Sequence, residues 1–213
     1  VPGVPLTGYC EAHRLDLRRR LALFLEICDG VQHAHQKGII HRDLKPTNLL
    51  VCERDGRPVP KIIDFGVAKA TGPGLPPSDA HPRLGHLIGT PEYMSPEQAQ
   101  LSPLDIDTRT DVYSLGVVLY QLLVGSLPYR LTGDTATPAQ IMNELLASDV
   151  RAPSEALRRD PVRAAETAAQ CASTPRHLIH AVRGDLDWIV LKTLEKDRNR
   201  RYASVAGLAA DVR

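Results

Sequence analysis

The stretch HRDLKPTN occupies residues 41–48, and sixteen residues after its last position comes DFG at residues 64–66. Phosphoryl transfer needs a group that orients the acceptor hydroxyl, oxygen ligands for a divalent metal and a positive charge near the transferred phosphate. Asp43 can accept or orient the hydroxyl proton, and Lys45 can supply the charge. Asn48 and Asp64 offer the oxygen ligands that Mg²⁺ prefers. These residues therefore point to phosphate chemistry.

Three further stretches follow in order: GTPEYMSPE at 89–97, DVYSLG at 111–116 and KDRNRRY at 196–202. Together with HRDLKPTN and DFG they resemble the signature set of protein kinases, with its catalytic, magnesium and substrate-binding loops. Lys45, two residues after Asp43, resembles the serine/threonine class. The run RGDLDWIVLKTLEKDRNRRY is most similar to bacterial serine/threonine kinases. The resemblance extends from Ala12 onward and is weakest between Leu131 and His180.

The resemblance implies an α+β, mainly α-helical, protein-kinase-like fold. Residues 1–213 would form one partial kinase domain, the large C-terminal lobe, with a short two-stranded hairpin that carries the catalytic and magnesium loops. The catalytic loop would be 41–48, the activation segment 64–97 and a variable insertion about 131–180. No glycine-rich phosphate loop, V-A-I-K lysine or partner-glutamate helix precedes residue 12. We therefore expect the small N-terminal lobe of the same chain to be missing here and to be a required partner.

The resemblance also assigns chemical roles. Asp43 resembles the catalytic base, and Lys45 resembles the residue that contacts the transferred phosphate. Asn48 and Asp64 resemble the magnesium ligands, and Leu50 would lie at the floor of the adenine site. ATP and Mg²⁺ are the implied cofactors. Because the small lobe is missing, we expect the adenine floor near Leu50 to be exposed and to favour association.

Other residues would hold the site together. Arg42 resembles the anchor of the activation loop. Thr90 resembles the substrate-loop threonine that forms hydrogen bonds toward Asp43 and Lys45. Glu97 and Arg201 match a buried ion pair. Asp111 would brace the backbone of the catalytic loop. His41 and Phe65 resemble the lower members of a hydrophobic stack. The only hydroxyl residues between Gly66 and Gly89 are Thr71 and Ser78, so a phosphate on either is expected to order this loop against Arg42.

The implied function is that of a serine/threonine protein kinase acting in signal transduction, with the 213 residues inactive on their own for lack of the small lobe. Two alternatives stay open. One is a catalytically dead interaction module. The other is a small-molecule phosphotransferase of the antibiotic-kinase type, which typically lacks Arg42, Lys45 and the SPE loop.

Composition excludes several other classes. The formal net charge is +1 and aromatic residues make up 4% of the chain, so neither a global field nor a stacking platform for nucleic acid is present. The four cysteines form no C-x-x-C, which favours a reducing, cytoplasmic setting for the catalytic domain. A membrane anchor of the parent protein outside this segment is compatible with that setting. The most apolar stretch, Tyr113–Gly125, is too short to span a bilayer.

His33 and His35 do not share a helix face, which favours surface or core roles over metal binding. For Arg18–Arg20, a solvated helix face is favoured over a docking patch.

Patterns of apolar residues predict the main elements. A long amphipathic helix begins at Asp16 and can end at Gly38, and two strands are joined by a turn at Asp55-Gly56. Three more helices are expected over Asp111–Val124, Asp185–Leu194 and Ser204–Val212. Residues 1–13 are expected to be a loop, and residues 148–177 are expected to contain one short helix.

Overall fold

The computed structural model describes residues 3–65, 91–100, 106–129, 137–147 and 149–213. Within these ranges the chain forms a three-stranded antiparallel sheet and ten α-helices. The elements are β1 (Val4–Pro5), α1 (Leu6–Ala12), α2 (Leu17–Gln36), β2 (Leu49–Arg54), β3 (Arg57–Ile62), α3 (Pro96–Ala99), α4 (Thr108–Val124), α5 (Pro138–Ala147), α6 (Pro153–Arg159), α7 (Pro161–Gln170), α8 (Pro175–Val182), α9 (Asp185–Thr193) and α10 (Val205–Val212). Short 3₁₀ turns lie at Pro46–Asn48, Pro91–Tyr93 and Arg198–Arg200. The predicted mainly helical fold is confirmed.

Helix α4 is the centre of the core. Almost all of its residues are buried, as its nearly uniform apolar sequence predicts, and α2, α6, α9 and α10 pack around it. The Asp107 carboxylate caps its first turn by accepting from the Arg109 N–H (2.8 Å), so the helix begins three residues before the predicted start. Gly125 ends it with φ 75°, a left-handed conformation that glycine adopts without strain. No helix in the described part of the chain is long and apolar enough to cross a bilayer.

Helix α2 delivers the chain to the catalytic loop. Asp16 caps its start by accepting from the Arg19 N–H (2.8 Å), and Gly38, with φ 74°, follows its last turn. Phe24, Cys28 and Val31 on its apolar face are buried against the core. The prediction of one long helix over this stretch is confirmed.

Strands β2 and β3 form the predicted hairpin. Arg54 pairs with Arg57 across the turn, and Asp55 (φ 52°) and Gly56 (φ 71°) both adopt the left-handed conformation that a tight two-residue turn requires. Strand β1 adds a third strand on the other side of β2, where Pro5 pairs with Leu50.

The prediction of a loop over residues 1–13 is wrong. Residues 4–5 form β1 and residues 6–12 form α1. Leu6, Tyr9 and Cys10 follow one another at helical spacing and are all buried, but the two prolines and two glycines of this short segment obscured the pattern. The strand is only two residues long and exists because β2 pairs with it, which no local pattern could indicate.

The prediction of a single short helix over residues 148–177 is also wrong. Helices α6 and α7 lie within this segment, and α8 begins in it. Each starts with a proline at its first helical position: Pro153, Pro161 and Pro175. Proline is favoured there because its fixed φ suits the helix and its missing N–H would have no intrahelical partner. These prolines read as helix starts rather than as helix breakers.

Candidate active site

One buried carboxylate holds the backbone of the catalytic loop. Asp111, in the first turn of α4, is fully buried and accepts hydrogen bonds from the backbone N–H groups of His41 (2.8 Å) and Arg42 (2.8 Å). Arg42 has φ 67°, a conformation that side-chain-bearing residues rarely adopt. The two bonds to Asp111 therefore help to maintain a strained loop conformation.

His35 is the third partner of Asp111. Its Nε2 lies 2.7 Å from Asp111 Oδ2, and both side chains are almost completely buried. Because a carboxylate only accepts, His35 Nε2 carries the proton. Helix spacing predicts a core or surface role for His35 and does not indicate this contact. The available signal was its position on the same helix face as Val31 and Cys28, at the end of α2 nearest the catalytic loop.

His41 links the catalytic loop to the end of β3. Its Nδ1 accepts from the Asp43 backbone N–H (3.3 Å), so the proton sits on Nε2, which donates to the Ile63 carbonyl (2.9 Å). The fully buried ring also contacts Phe65, with ring centroids 4.8 Å apart. The structure therefore places the His41 imidazole in a neutral tautomer, as a spacer between the two loops.

Asp43, Lys45 and Asn48 converge at the end of the loop. Lys45 Nζ lies 3.1 Å from Asp43 Oδ2, and Asn48 Nδ2 donates to the same oxygen (3.2 Å) and to the Asp43 carbonyl (2.8 Å). Among the described residues nothing bonds to Asp43 Oδ1. The Asp43 side chain remains 25% exposed. One oxygen is thus fixed by a cation and an amide, and the other is available to accept a proton or a hydrogen bond.

Asn48 and Asp64 fit a magnesium site. The Ile63 N–H donates to the Asn48 carbonyl (3.0 Å), which sets the next residue, Asp64, beside the end of the 3₁₀ turn. Asn48 uses its amide N–H₂ toward Asp43, so its Oδ1 is available, and the exposed Asp64 carboxylate has no bond to another described residue. Asp64 has φ 56°, a second strained conformation at the site.

Two protein oxygens suit Mg²⁺, which is usually held by one or two carboxylates together with substrate phosphates. No group of three or more His, Cys, Asp or Glu suitable for a metal occurs within the described ranges. The donors present therefore favour a nucleotide-bound Mg²⁺ over a metal held by protein ligands alone.

Leu50, expected to form an exposed adenine floor, is 8% exposed. The N-terminal segment covers it, since Pro5 pairs with Leu50 and a Cβ added at Gly3 would lie 2.9 Å from the Leu50 Cβ. The expectation of an exposed apolar surface at this residue is therefore wrong. The same N-terminal residues that were expected to form a loop supply the cover.

Glu97 and Arg201 are paired beneath the site. Arg201 Nη1 and Nη2 donate to the two carboxylate oxygens of Glu97 (2.7 and 2.8 Å), and Thr110 Oγ1 donates to one of them (2.9 Å). Burial is the largest single influence on Glu97 and raises its pKa. The Arg201 charge and the hydrogen bonds together outweigh burial and lower that pKa below its usual value.

Gln98 connects this region to the catalytic loop and was not anticipated. Its side-chain amide donates to the Arg42 carbonyl (2.8 Å). Gln98 also completes a capping box with Ser95, whose hydroxyl accepts from the Gln98 N–H (3.4 Å) at the start of α3. The signal was the spacing S-x-x-Q at residues 95–98, which is typical of a helix start. Thr71, Ser78 and Thr90 lie outside the described residues.

Comparison with known proteins gives one family and a set of bacterial relatives. The model of the family described as "Protein kinase domain" matches residues 6–210. The chain is 36% identical over 205 residues to the serine/threonine-protein kinase Pkn1 of Myxococcus xanthus, covering 96% of this chain and 25% of that protein. It is 35% identical over 199 residues to the serine/threonine-protein kinase PknB of Mycolicibacterium smegmatis, covering 92% and 26%. A similar match, 33% over 195 residues, is found with PknB of Mycobacterium tuberculosis. The chain therefore spans about a quarter of the length of these relatives.

Proposed function

The chain belongs to the protein kinase family, and we propose that its site transfers the γ-phosphoryl group of ATP to serine or threonine hydroxyls of protein substrates. The proposal rests on the arrangement of Asp43, in which one carboxylate oxygen is fixed by Lys45 and Asn48 and the other has no partner among the described residues. The names of the relatives support the choice of serine and threonine as acceptors.

In this proposal each residue has a defined role. Asp43 Oδ1 accepts the hydrogen bond of the acceptor hydroxyl and takes its proton as the phosphoryl group is transferred. Lys45, beside Asp43, neutralises charge that develops on the transferred group. Asp111, His35 and His41 orient the loop but do not touch substrate. Asp43 therefore needs no reorganisation when the substrate binds, because its position is fixed in advance.

Asn48 Oδ1 and the Asp64 carboxylate would hold Mg²⁺ on the nucleotide phosphates. When bound, Mg²⁺ would neutralise charge on the phosphate oxygens and align them for in-line transfer. The chain's contribution is to bring these two ligands together through the Ile63–Asn48 backbone bond, with no donor to either oxygen among the residues that the structure describes.

Substitution of Asp43 and of Asp64 in the full-length protein tests this assignment. Asp43→Asn should lower kcat by at least about 10²-fold, the lower range for a general base, and leave nucleotide affinity nearly unchanged. Asp64→Asn should weaken magnesium-nucleotide binding and turnover together, because the metal contacts phosphate before and during transfer. Transfer of label from γ-labelled ATP to protein, with nucleotide binding measured separately, distinguishes the two.

Equal activity of wild type and Asp43→Asn would refute the role of Asp43. Label that appears on a small molecule but not on protein would favour the antibiotic-kinase type of transferase. Nucleotide binding without any transfer by the wild-type protein would favour an interaction module. Each alternative left open by the sequence thus has its own outcome.

We further propose that phosphate on Thr71 or Ser78 regulates this site through Arg42. Arg42 is tied to both Asp111 and Gln98 through its backbone, so a loop that binds its guanidinium would act directly on the catalytic loop. We also assign the catalytic domain to the cytoplasm. The four cysteines form no disulfide, and three of them are buried, as is usual in a reducing compartment.

A further inference from the structure

The peptide unit between Arg42 and Asp43 is held on both of its polar sides. The Gln98 side-chain amide donates to the Arg42 carbonyl (2.8 Å), and the Asp43 N–H donates to His41 Nδ1 (3.3 Å). Because a trans peptide directs its carbonyl and its N–H to opposite sides, the two bonds together fix the orientation of this unit. The peptide plane ends at the Cα of Asp43, so the same bonds help to set where the Asp43 side chain starts.

The residue at the start of this peptide is strained. Arg42 has φ 67°, and a residue with a side chain keeps such a conformation only while its surroundings hold it. Asp111 holds the Arg42 N–H (2.8 Å), and Gln98 holds the Arg42 carbonyl. If Gln98 released that carbonyl, Arg42 could rotate toward the usual negative φ. The peptide that leads to Asp43 would turn with it.

Both ends of the Gln98 amide are engaged. Its Oε1 accepts from the backbone N–H (3.0 Å) and from the hydroxyl (3.2 Å) of Ser95, a residue that is completely buried. Its Nε2 is the atom that reaches the Arg42 carbonyl. The oxygen is therefore anchored at the start of α3, which keeps the nitrogen aimed at the catalytic loop.

The backbone of Gln98 is also anchored. The preceding residue, Glu97, is bound in the core by both guanidinium nitrogens of Arg201 (2.7 and 2.8 Å). Residues 89–97, which match the substrate-binding loop of protein kinases, end directly before Gln98. The donor to the catalytic loop thus belongs to the element that follows the substrate-binding loop.

We propose that Gln98 is a positioning residue for phosphoryl transfer. Its amide N–H holds the Arg42–Asp43 peptide in the orientation that aims Asp43 at the acceptor hydroxyl, and it acts through Asp43 without touching substrate. The inference rests on the role of Asp43 proposed above. The nucleotide side of the site does not depend on this bond, because Asn48 and Asp64 are brought together by the Ile63–Asn48 backbone bond.

Substitution of Gln98 by glutamate separates the two ends of the side chain. Gln98→Glu keeps an oxygen for the Ser95 N–H, as in a capping box of the S-x-x-E type, but has no N–H for the Arg42 carbonyl. In the full-length protein, kcat for protein phosphorylation should fall by roughly five- to tenfold, the effect of losing one hydrogen bond from the competent loop. ATP affinity should be unchanged.

Gln98→Met removes both bonds and carries no charge. It should lower kcat by a similar factor, which excludes the added negative charge of Gln98→Glu as the cause. It should also lower the thermal midpoint of unfolding below that of Gln98→Glu, because the start of α3 loses its cap.

The start of α5 offers a matched control. Gln140 Oε1 accepts from the Thr137 N–H (2.7 Å), and the Gln140 N–H donates to Thr137 Oγ1 (3.3 Å), so these residues form the same kind of capping box. Gln140 is exposed, and the hydrogen bonds that the structure describes for its side chain stay within this box. Gln140→Glu should therefore retain the wild-type kcat.

Amide hydrogen exchange over residues 41–44, followed by mass spectrometry, tests the link without any substrate. Gln98→Glu should exchange these amides several times faster than wild type and Gln140→Glu, because the loop opens more often. Wild-type exchange in Gln98→Glu overturns the role of Gln98 whatever the activity of the protein. A fall in kcat that Gln140→Glu reproduces overturns it as well. Failure of the wild-type protein to transfer phosphate would instead overturn the proposed function, so the two failures are distinguishable.

Discussion

At the scale of single residues, two buried carboxylates fix the geometry around Asp43. Asp111 accepts from two backbone N–H groups and from His35, and Glu97 accepts from Arg201 and Thr110. Such groups are costly to bury unless every acceptor is bonded. The donors around each carboxylate are therefore part of the site, although none of them is placed to touch a substrate.

The pair of Glu97 and Arg201 should behave as one unit in mutagenesis. Either Glu97→Ala or Arg201→Ala leaves a buried charge without its partner and should lower the free energy of unfolding by roughly 3–5 kcal/mol. The double variant should lose much less than the sum, because the second substitution removes the charge stranded by the first. Urea unfolding of the four proteins measures the coupling. Strictly additive losses would show that the two side chains do not interact.

The same pair predicts a dependence of stability on pH. Because the pKa of Glu97 is lower in the folded chain than in the unfolded chain, the unfolded state binds more protons as the pH falls. The stabilisation is complete above the unfolded value, about 4.3, and is lost as the pH falls through the folded value. Glu97→Gln should therefore flatten the loss of stability below that pH. An unchanged slope for Glu97→Gln would show that other groups carry the acid sensitivity.

His35 lies on α2 but should be needed to keep the catalytic loop in position, because it bonds to Asp111. His35→Leu removes a hydrogen bond to a charged group and should cost about 1.5–3 kcal/mol in unfolding free energy. It should also lower kcat, because Asp111 would hold the loop less firmly. His35→Gln places an amide donor near the same position and should recover most of both losses. If the leucine and glutamine variants are equally impaired, the bond to Asp111 is not the reason for the effect.

At the scale of elements, helices with a clear local pattern could be predicted from the sequence, and those defined by distant partners could not. The periodicity of α2, the apolar run of α4 and the Asp55-Gly56 turn are local signals. By contrast, β1 is defined by its pairing with β2. The segment that holds α6 and α7 has only weak apolar periodicity, so its sequence indicates one short helix where the structure has two and the start of a third.

Helices α4 and α9 are in close contact at Gly116. A Cβ added at Gly116 would lie 2.8 Å from the Thr193 Cβ, which cannot move without the backbone of α9. Gly116→Ala should destabilise the chain by about 1–3 kcal/mol, because overpacking outweighs the gain in helix propensity. Thermal unfolding measures the change.

Gly207 in α10 provides the matched control. A Cβ added at Gly207 would lie 3.6 Å from its nearest neighbour, Tyr202 Cδ1, which is an ordinary van der Waals contact. Gly207→Ala should therefore leave stability unchanged or raise it by up to about 1 kcal/mol through helix propensity. If both substitutions raise stability, the packing of α4 on α9 is looser than these distances require.

At the scale of the whole molecule, sequence motifs could indicate which residues carry the chemistry but not how they are supported. Asp43, Lys45 and Asn48 are neighbours in the chain, so their convergence follows from one loop. His35 and Gln98 reach that loop from α2 and α3, and their contacts depend on packing that no motif encodes.

Residues 1–213 expressed alone should fold but should not phosphorylate protein. They form a helical core around α4, and Gly3–Pro5 covers Leu50, so we expect a folded protein that does not associate through this surface. They contain no glycine-rich phosphate loop or V-A-I-K lysine, which cover and clamp the ATP phosphates in protein kinases. Circular dichroism should show cooperative unfolding, whereas ATP binding should be weaker than in the full-length protein and protein phosphorylation undetectable. Full-length Asp43→Asn provides the control for loss of transfer with nucleotide binding intact. Robust phosphorylation by residues 1–213 alone would show that the loop and the lysine are not needed for the chemistry at Asp43.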